Sequence, residues 1–255
     1  MPDIKAVVFD LGGTLLHYYD QQSPQQAEHH FRRVTKAGAQ AVYTSLLKMG
    51  QNLRVEVPLE SILDKHVTDL IGRMRADMSS GSVETALRAA LIELGAKIDD
   101  SLWAEVRGYF YTEIDQIVFP RDGLVETLNR LEESGYQLAI ISNTMWAADL
   151  HDKHLERFGV LDRFPLRVYS CDESHVKPHP SIFKSTMKKL GVEASQAVYI
   201  GDTPEPDIIG SQGVGMRGIL IRSPYMPVDE SSIKPDGILD ELPDLIGVLE
   251  GFSDG

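Results

Sequence analysis

The sequence predicts an α/β fold, in which a long helical insertion interrupts a Rossmann-like, doubly wound parallel sheet. Two observations lead to this prediction. Four short apolar segments lack the alternating polarity of a half-exposed strand, and strand-like and helical patterns alternate from residue 117 onward. A long stretch with helical periodicity separates the first segment from the second.

The four strand-like segments are unbroken apolar runs: Ala6–Phe9, Leu138–Ile141, Ala197–Ile200 and Gly218–Ile221. A strand that is covered on both faces has such a run, whereas a half-exposed strand alternates apolar and polar residues. Short runs of this kind, with helices between them, are typical of a parallel sheet.

Two helices are predicted in the core, one before the second strand and one between the second and the third. The leucines of the first share one helical face: Leu124, Leu128 and Leu131. Gly135 follows at the position of a C-cap glycine. The second helix covers about residues 180–190, begins after Pro180 and ends at Gly191.

Residues 17–116 are predicted to form the helical insertion, which leaves 1–16 and 117–255 for the core. Its clearest helix has apolar residues spaced from Val83 to Leu94, with Ser82 as the N-cap. The remaining helical segments lie near 25–49, 58–77 and 100–116.

Composition excludes several classes of function. The 255 residues carry 25 basic and 38 acidic side chains, for a net charge of −13, which argues against nucleic acid or an anionic membrane as partner. Residues 224–255 hold one basic and eight acidic groups, and we interpret this segment as a solvated surface.

A single cysteine, Cys171, rules out an internal disulfide framework. No apolar run reaches the ~18 residues of a membrane span, and no signal peptide is recognised, so we expect a cytoplasmic protein.

Polar residues follow three of the predicted strands, where a parallel sheet binds its ligands. Asp10 follows the first strand, Ser142 and Asn143 follow the second, and Asp202 follows the third. These residues should meet at one edge of the sheet.

Three carboxylates in one cleft, from Asp10, Asp202 and Asp207, would repel one another unless a cation neutralised them. Oxygen ligands select a hard cation, and Mg²⁺ is the expected one if phosphate is also present. Ser142 and Lys177 would then offer a hydroxyl donor and a positive charge to phosphate oxygens.

In this order, the residues resemble the four motifs of the haloacid dehalogenase (HAD)-like hydrolase superfamily, over nearly the whole chain. The four matching segments begin at strand ends or after them: Phe9–Leu15, Ile141–Asn143, Lys177–Phe183 and Gly201–Gly210. The helical insertion matches the position of the type-1 cap in the phosphatase-like branch of this superfamily.

The resemblance implies a Mg²⁺-dependent phosphatase that acts on a small phosphorylated metabolite. Asp10 would attack phosphorus and form an aspartyl-phosphate, which water then hydrolyses. Lys177 would hold both the nucleophile and the phosphoryl group, and Ser142 and Asn143 would bind phosphate. The resemblance also implies the metal ligands: Asp10, the backbone carbonyl of Gly12, Asp202 and, indirectly, Asp207.

Gly12 departs from the phosphatase pattern, which has a second Asp two residues after the nucleophile. That Asp protonates the leaving group, and such acid–base help is worth ~10²–10⁴-fold in rate. A replacement acid would have to come from elsewhere. His17, Tyr18 and Tyr19 follow the first motif, and His175 lies two residues before Lys177, so these could approach the site. The alternative is that they are hinge or surface residues, and none is counted as catalytic.

Three readings follow from Gly12. A phosphatase could take its proton from another group, or use a substrate with a good leaving group, such as an acyl phosphate or a sugar 1-phosphate. A 2-haloacid dehalogenase needs no such proton, although Asp202 and Asp207 are typical of the metal-dependent branch. A catalytically weak protein of this family would bind a ligand or partner without turnover.

Overall fold

The computed structural model describes residues 3–18, 27–54, 56–223 and 228–253. The chain divides into two compact units, of which one comprises residues 1–17 and 119–255 and the other residues 18–118. No helix within the described ranges is both long enough and apolar enough to cross a membrane.

The first unit contains a six-stranded sheet, ordered β5-β4-β1-β6-β7-β8, in which every pair of neighbours is parallel. Its strands are β1 (Ala6–Phe9), β4 (Gln137–Ser142), β5 (Leu166–Tyr169), β6 (Ala197–Gly201), β7 (Arg217–Ile221) and β8 (Gly237–Leu239). The predicted α/β class is confirmed, and the four predicted runs lie in β1, β4, β6 and β7.

The helices of this unit are α5 (Leu124–Glu133), α6 (Ala148–Arg157), α7 (Pro180–Leu190), α8 (Gly210–Gln212) and α9 (Leu245–Ser253). The first four precede strands of the sheet, and α9 follows the last strand. A π-helical turn, Pro204–Ile209, leads into α8. The C-cap glycines have the expected left-handed backbone, with φ of +80° at Gly135 and +71° at Gly191. Two further strands, β2 (Leu16–Tyr18) and β3 (Val118–Pro120), form a separate two-stranded sheet.

The core of the first unit is packed between the sheet and its helices. One buried cluster joins three central strands to α7: Ala6, Val8, Ala139, Ile141, Tyr199, Ile182, Phe183 and Met187. Because β1 lies in the middle, with β4 and β6 as neighbours, all four of its residues are buried. The packing of β1 therefore holds the residue that follows its carboxyl end in a fixed position.

The second unit is helical, as the periodicity predicts. Its helices are α1 (Ala27–Lys48), α2 (Leu59–Asp77), α3 (Val83–Glu93) and α4 (Asp100–Ile117). Ser82 caps α3 by accepting a hydrogen bond from the Glu84 N–H at 3.1 Å. The packing of α1 on α4 is close enough to require glycine, because a Cβ at Gly38 would lie 2.4 Å from the Phe110 carbonyl oxygen.

Candidate active site

The predicted site residues converge at the carboxyl ends of three adjacent strands. Asp10 follows β1, Ser142 ends β4, and Asp202 follows β6. The parallel register places Phe9 beside Ile140 on one side and Ile200 on the other. The Asp10 N–H donates to the Ile200 carbonyl at 2.8 Å, which extends this pairing by one residue into the site.

The chain turns tightly after Asp10. The Leu11 carbonyl accepts hydrogen bonds from the N–H groups of Leu15 and Leu16, both at 2.9 Å, and the Gly13 N–H donates to the Leu16 carbonyl at 2.8 Å. Gly13 has φ of +80°, and a Cβ there would lie 2.1 Å from Oδ2 of Asp202. Only glycine therefore fits here, because of both its backbone conformation and the approach of the carboxylate.

Lys177 is buried and uses all three hydrogens of its ammonium group on protein acceptors. Nζ lies 2.9 Å from Asp10 Oδ1, 2.6 Å from Asp207 Oδ1 and 2.6 Å from the hydroxyl of Tyr199. An ammonium has three donors and no acceptor. A phosphoryl oxygen could therefore bind Lys177 directly only by replacing one of these partners.

Asp207 is oriented by both of its carboxylate oxygens. Oδ1 accepts from Lys177, and Oδ2 accepts from the Thr203 N–H at 2.8 Å. The side chain is 1% exposed and lies against Gly201, where a Cβ would be 2.3 Å from its Cγ. These contacts suit Asp207 to holding Lys177 and its neighbours in place.

Asp10, Asp202 and Asp207 form a buried acidic group, with one carboxylate oxygen of each within 4.8 Å of the others. Burial raises the pKa of Asp10 to about 6, against the opposing charge of Lys177. Burial, and then the charges of Asp10 and Asp207, raise the pKa of Asp202 to about 8. Oxygen donors with excess negative charge fit a hard divalent cation.

Ser142 and Asn143 leave β4 beside the Lys177 loop. Ser142 is 3% exposed. The side-chain amide of Asn143 donates to the Lys177 carbonyl at 2.8 Å and accepts from the Lys177 N–H at 2.7 Å. The Asn143 side chain therefore holds the backbone of Lys177, which the sequence did not indicate.

The loop after β4 has further support that the sequence did not indicate. The Thr144 N–H donates to Ser170 Oγ at 2.9 Å, and Ser170 Oγ donates to the Thr144 carbonyl at 3.1 Å. Thr144 Oγ1 also lies 2.8 Å from Nε2 of His151, a buried residue of α6. These bonds fix the segment that carries Ser142.

Two buried residues at the site were missed from sequence. Tyr199 lies in β6, accepts from Lys177 and donates to the Ile141 carbonyl at 2.7 Å. Arg121 follows β3 and donates to the Gly13 carbonyl at 2.5 Å. A tyrosine in a fully buried strand is a usable sequence signal, because a buried phenol hydroxyl needs a partner; Arg121 has no comparable signal.

Of the four candidates for a replacement acid, the structure describes His17, His175 and Tyr18. His17 is 4% exposed and packs on Phe119 with 5.0 Å between the ring centroids; burial and the charge of Arg121 lower its pKa to about 3. It is therefore neutral at pH 7 and poorly suited to donate a proton. His175 stacks on His179 with 3.8 Å between centroids. Tyr18 ends β2, and Tyr19 lies outside the described residues.

With this geometry in view, the chain was compared with known proteins. The model of the haloacid dehalogenase-like hydrolase family matches residues 4–215. The chain belongs to the haloacid dehalogenase-like hydrolases. The family predicted from the four motifs is thus confirmed, and the protein is a hydrolase.

Relatives in this family include phosphatases. Pyrophosphatase PpaX from Halalkalibacterium halodurans is 28% identical over 153 residues, which cover 59% of this chain and 69% of the relative. Glyceraldehyde 3-phosphate phosphatase from Pyrococcus furiosus is 34% identical over 134 residues, or 50% of this chain and 53% of the relative.

Solved structures share the fold over nearly the whole chain. A 2-haloacid dehalogenase from Pseudomonas syringae pv. Tomato DC3000 has a TM-score of 0.69 at 25% identity, and covers 98% of this chain and 99% of its own. A HAD phosphatase from Thermococcus onnurineus has a TM-score of 0.63 at 22% identity, with 97% and 99% covered. The second likeness concerns the fold alone.

Proposed function

We propose that this HAD-like hydrolase is a Mg²⁺-dependent phosphatase of a small phosphorylated metabolite, with Asp10 as the nucleophile. The observation that carries the proposal is the contact between Asp10 and Lys177 beside two further carboxylates. A cation on one side of a buried carboxylate orients it and keeps it ionised. The phosphatase relatives give independent support.

The acidic group fits a bound Mg²⁺. Asp10, Asp202 and the carbonyl of Gly12 would hold it, with Asp207 acting indirectly because its two oxygens already accept from Lys177 and Thr203. When bound, Mg²⁺ neutralises charge on the phosphoryl oxygens.

The residues of the chain have distinct roles in the proposed reaction. Asp10 attacks phosphorus and forms an aspartyl-phosphate as the bond between phosphorus and the leaving-group oxygen breaks. Water then hydrolyses this intermediate, which releases inorganic phosphate and frees the carboxylate. Lys177 orients Asp10. The Ser142 hydroxyl and the backbone N–H groups of Leu11, Gly12 and Asn143 cradle the phosphoryl group, whereas the Gly13 N–H already donates to the Leu16 carbonyl.

Gly12 favours leaving groups that depart without a proton. Neither Gly12 nor the neutral His17 can protonate an alkoxide at pH 7. Phosphoanhydrides, acyl phosphates and sugar 1-phosphates have better leaving groups than alkyl phosphates. The name of the relative pyrophosphatase PpaX denotes an anhydride substrate, which agrees with this preference.

We also propose that the helical insertion, predicted at 17–116, is a cap that governs access to the site and excludes water during the reaction. A cap of this size favours a small metabolite over a protein substrate. The only cysteine, Cys171, is free, which fits the reducing cytoplasm.

A 2-haloacid dehalogenase is the second candidate. It is favoured by the solved dehalogenase structure, which matches 98% of this chain, and by Gly12, since halide leaves without a proton. Against it stands the buried acidic group, whose excess charge calls for a cation.

Turnover assays separate these readings. Wild-type protein and Asp10→Asn are assayed on p-nitrophenyl phosphate, acetyl phosphate and pyrophosphate, with Mg²⁺ and with EDTA. We expect phosphate release by wild type in Mg²⁺ only, and none above background by Asp10→Asn. Halide release from 2-haloacids without Mg²⁺ would establish the dehalogenase instead, and binding of Mg²⁺ and phosphate without turnover on a broad panel would leave a binding protein.

A further inference from the structure

Two residues proposed to bind phosphate, Ser142 and Asn143, stand where β4 ends and a short loop begins. This β4 loop comprises residues 143–147 and leads into α6. The pairing of β4 with β5 ends where Ser142 lies beside Tyr169. From Asn143 onward, bonds outside the sheet ladder must therefore hold the backbone of the loop.

One buried hydroxyl group anchors the β4 loop to the end of β5. Ser170, which follows β5, is fully buried. Its Oγ accepts from the Thr144 N–H at 2.9 Å and donates to the Thr144 carbonyl at 3.1 Å. Next to Thr144, the Asn143 side chain bonds the backbone N–H and carbonyl of Lys177. These bonds tie the loop to β5 and to the segment that carries Lys177.

The side chain of Thr144 anchors the same loop to α6. Its Oγ1 accepts from the Trp146 N–H at 3.0 Å, in a local turn that serine and threonine often form. The same oxygen lies 2.8 Å from Nε2 of His151, which is buried. The His151 ring also packs on the ring of Tyr169, with 5.2 Å between the centroids. Thr144 therefore shares a hydrogen bond with a side chain that is itself fixed by packing.

The bond between Thr144 and His151 is uncharged, so it can influence phosphate only through position. Burial is the first of the causes that lower the pKa of His151 to about 3, and the ring is neutral at pH 7. Thr144 comes directly after Asn143 and two residues after Ser142. Over so short a length of chain, fixing Thr144 also restricts the Asn143 N–H and the Ser142 hydroxyl.

We propose that Thr144 is a positioning residue, whose bond to His151 holds the Ser142 hydroxyl and the Asn143 N–H in the arrangement that binds phosphate. The inference rests on the proposed function, because its consequence concerns phosphate. Donors that are fixed in advance bind a charged oxygen better than donors that must first be ordered. The residues proposed to hold Mg²⁺ follow β1 and β6 instead. Loss of the bond should therefore weaken phosphate binding and spare the response to Mg²⁺.

Substitutions at both ends of this bond separate its role from general packing. Thr144→Val removes the hydroxyl and keeps the shape of the side chain, whereas Thr144→Ser keeps the hydroxyl. His151→Leu removes the ring nitrogen, and a double variant that combines Thr144→Val with His151→Leu completes a double-mutant cycle. Thr186→Val is the control for the loss of a threonine hydroxyl, because Thr186 is fully buried in α7 and donates to the Ile182 carbonyl at 2.7 Å.

Two measurements are independent of turnover: the Kd of inorganic phosphate in Mg²⁺ by calorimetry, and the melting temperature in EDTA and in Mg²⁺. We expect Thr144→Val to bind phosphate about threefold to tenfold more weakly, as for the loss of one hydrogen bond, because the bonds of Ser170 and Asn143 remain. His151→Leu should weaken phosphate binding to a similar extent. The double variant should be no weaker than either, because both changes remove the same bond.

The other readouts should stay close to those of wild type. All variants keep the rise in melting temperature on adding Mg²⁺. Thr144→Ser keeps a phosphate Kd within about twofold of wild type, because it retains a hydroxyl that both donates and accepts. Thr186→Val melts at a lower temperature in EDTA and keeps the phosphate Kd of wild type.

Four outcomes would overturn the inference. The first is a folded Thr144→Val protein with the phosphate Kd of wild type, and the second is one that has lost the response to Mg²⁺ as well. The third is equal weakening in Thr186→Val, because general stability would then explain the effect. The fourth is additive weakening in the double variant, because Thr144 and His151 would then act separately.

Folding and wild-type controls complete the test. If Thr144→Val does not fold, His151→Leu decides by the same readouts, and failure of both to fold would assign the bond to stability and overturn the inference. A wild-type protein that binds no phosphate in Mg²⁺ would refute the proposed function and, with it, the inference. A wild type that binds phosphate confines any of the four failures to the role of Thr144.

Discussion

Lys177 shows how closely single side chains are constrained at this site. Each of its ammonium hydrogens has one acceptor, on Asp10, Asp207 and Tyr199. The Tyr199 hydroxyl in turn donates to the Ile141 carbonyl. The position of Lys177 therefore depends on a residue in the middle of the sheet, as well as on the two carboxylates.

Tyr199→Phe is predicted to lower kcat by roughly 10- to 100-fold with a smaller change in KM, as for other outer supporting groups. The ring volume is kept, so the loss falls on the orientation of Lys177. Tyr169→Phe is the matched control, since its hydroxyl donates to Asp152 at 2.9 Å. Steady-state kinetics and melting curves of both variants test this. An equal loss of kcat in Tyr199→Phe and Tyr169→Phe would contradict a specific role in orienting Lys177, because a general loss of protein stability would then explain both.

Gly12→Asp tests the leaving-group preference. Gly12 lacks the positive φ of Gly13, so its backbone can carry a side chain. If proton transfer limits the reaction, the new carboxyl group should raise kcat/KM for glycerol phosphate more than for p-nitrophenyl phosphate, by up to ~10²–10⁴-fold. Parallel changes on the two substrates would contradict this account.

The sequence could predict the residues that follow strands, but not those that support them. Asp10, Ser142 and Asp202 stand at the ends of apolar runs, and parallel strands bring such ends together. Tyr199 and Arg121 act across long sequence separations, 22 residues from Lys177 and 108 residues from Gly13. Tertiary packing decides which residues they contact, and no local pattern in the sequence indicates it.

At the scale of elements, strands buried on both faces could be predicted and edge strands could not. The runs of β1, β4, β6 and β7 are almost wholly apolar, which predicts their burial. The edge strand β5 includes Arg167, whose side chain pairs with Asp152, so its apolar run is broken. The other edge strand, β8, has only three residues. Neither gives the unbroken signal of a central strand.

The link between α6 and the loop after β4 predicts sensitivity to acid. Burial, and then the charge of His154, lower the pKa of His151 to about 3, against the opposing charges of Asp152 and Asp149. In the unfolded chain the value is about 6.5. Between these values only the unfolded state binds the proton, so the free energy of unfolding falls as pH drops from about 6.5 to 3.

His151→Gln should make this dependence shallower, by up to ~1.4 kcal/mol per pH unit. His17, whose pKa is also about 3, continues to contribute in the variant. Urea unfolding from pH 7 to pH 4 measures both slopes. Equal slopes in wild type and His151→Gln would show that His151 is not buried as the neutral form.

At the scale of the whole molecule, the charge of −13 says little about the ligand. Of this excess, −7 belongs to residues 224–255, which contain none of the proposed site residues. The charge that matters for the proposed function is that of the buried acidic group at the carboxyl edge of the sheet. Excess negative charge that is buried destabilises a fold until a cation neutralises it.

Asp202→Asn is therefore predicted to raise the stability of the metal-free protein by about 1–3 kcal/mol and to abolish its stabilisation by Mg²⁺. Asp152→Asn is the contrast, because Asp152 is paired with Arg167 and its loss should destabilise. Melting curves of both variants in EDTA and in Mg²⁺ measure this. A metal-free Asp202→Asn protein that melts at a lower temperature than wild type would show that the negative charge of Asp202 does not destabilise the metal-free protein.

We propose that Asp10 carries the phosphoryl group during turnover. The most direct measurement is mass spectrometry of protein quenched in acid during steady-state hydrolysis of acetyl phosphate with Mg²⁺. We expect one added phosphoryl group on the wild-type peptide that contains Asp10, and none in Asp10→Asn. Steady turnover by wild type with an unmodified Asp10 peptide, or phosphorylation at another residue, would contradict it.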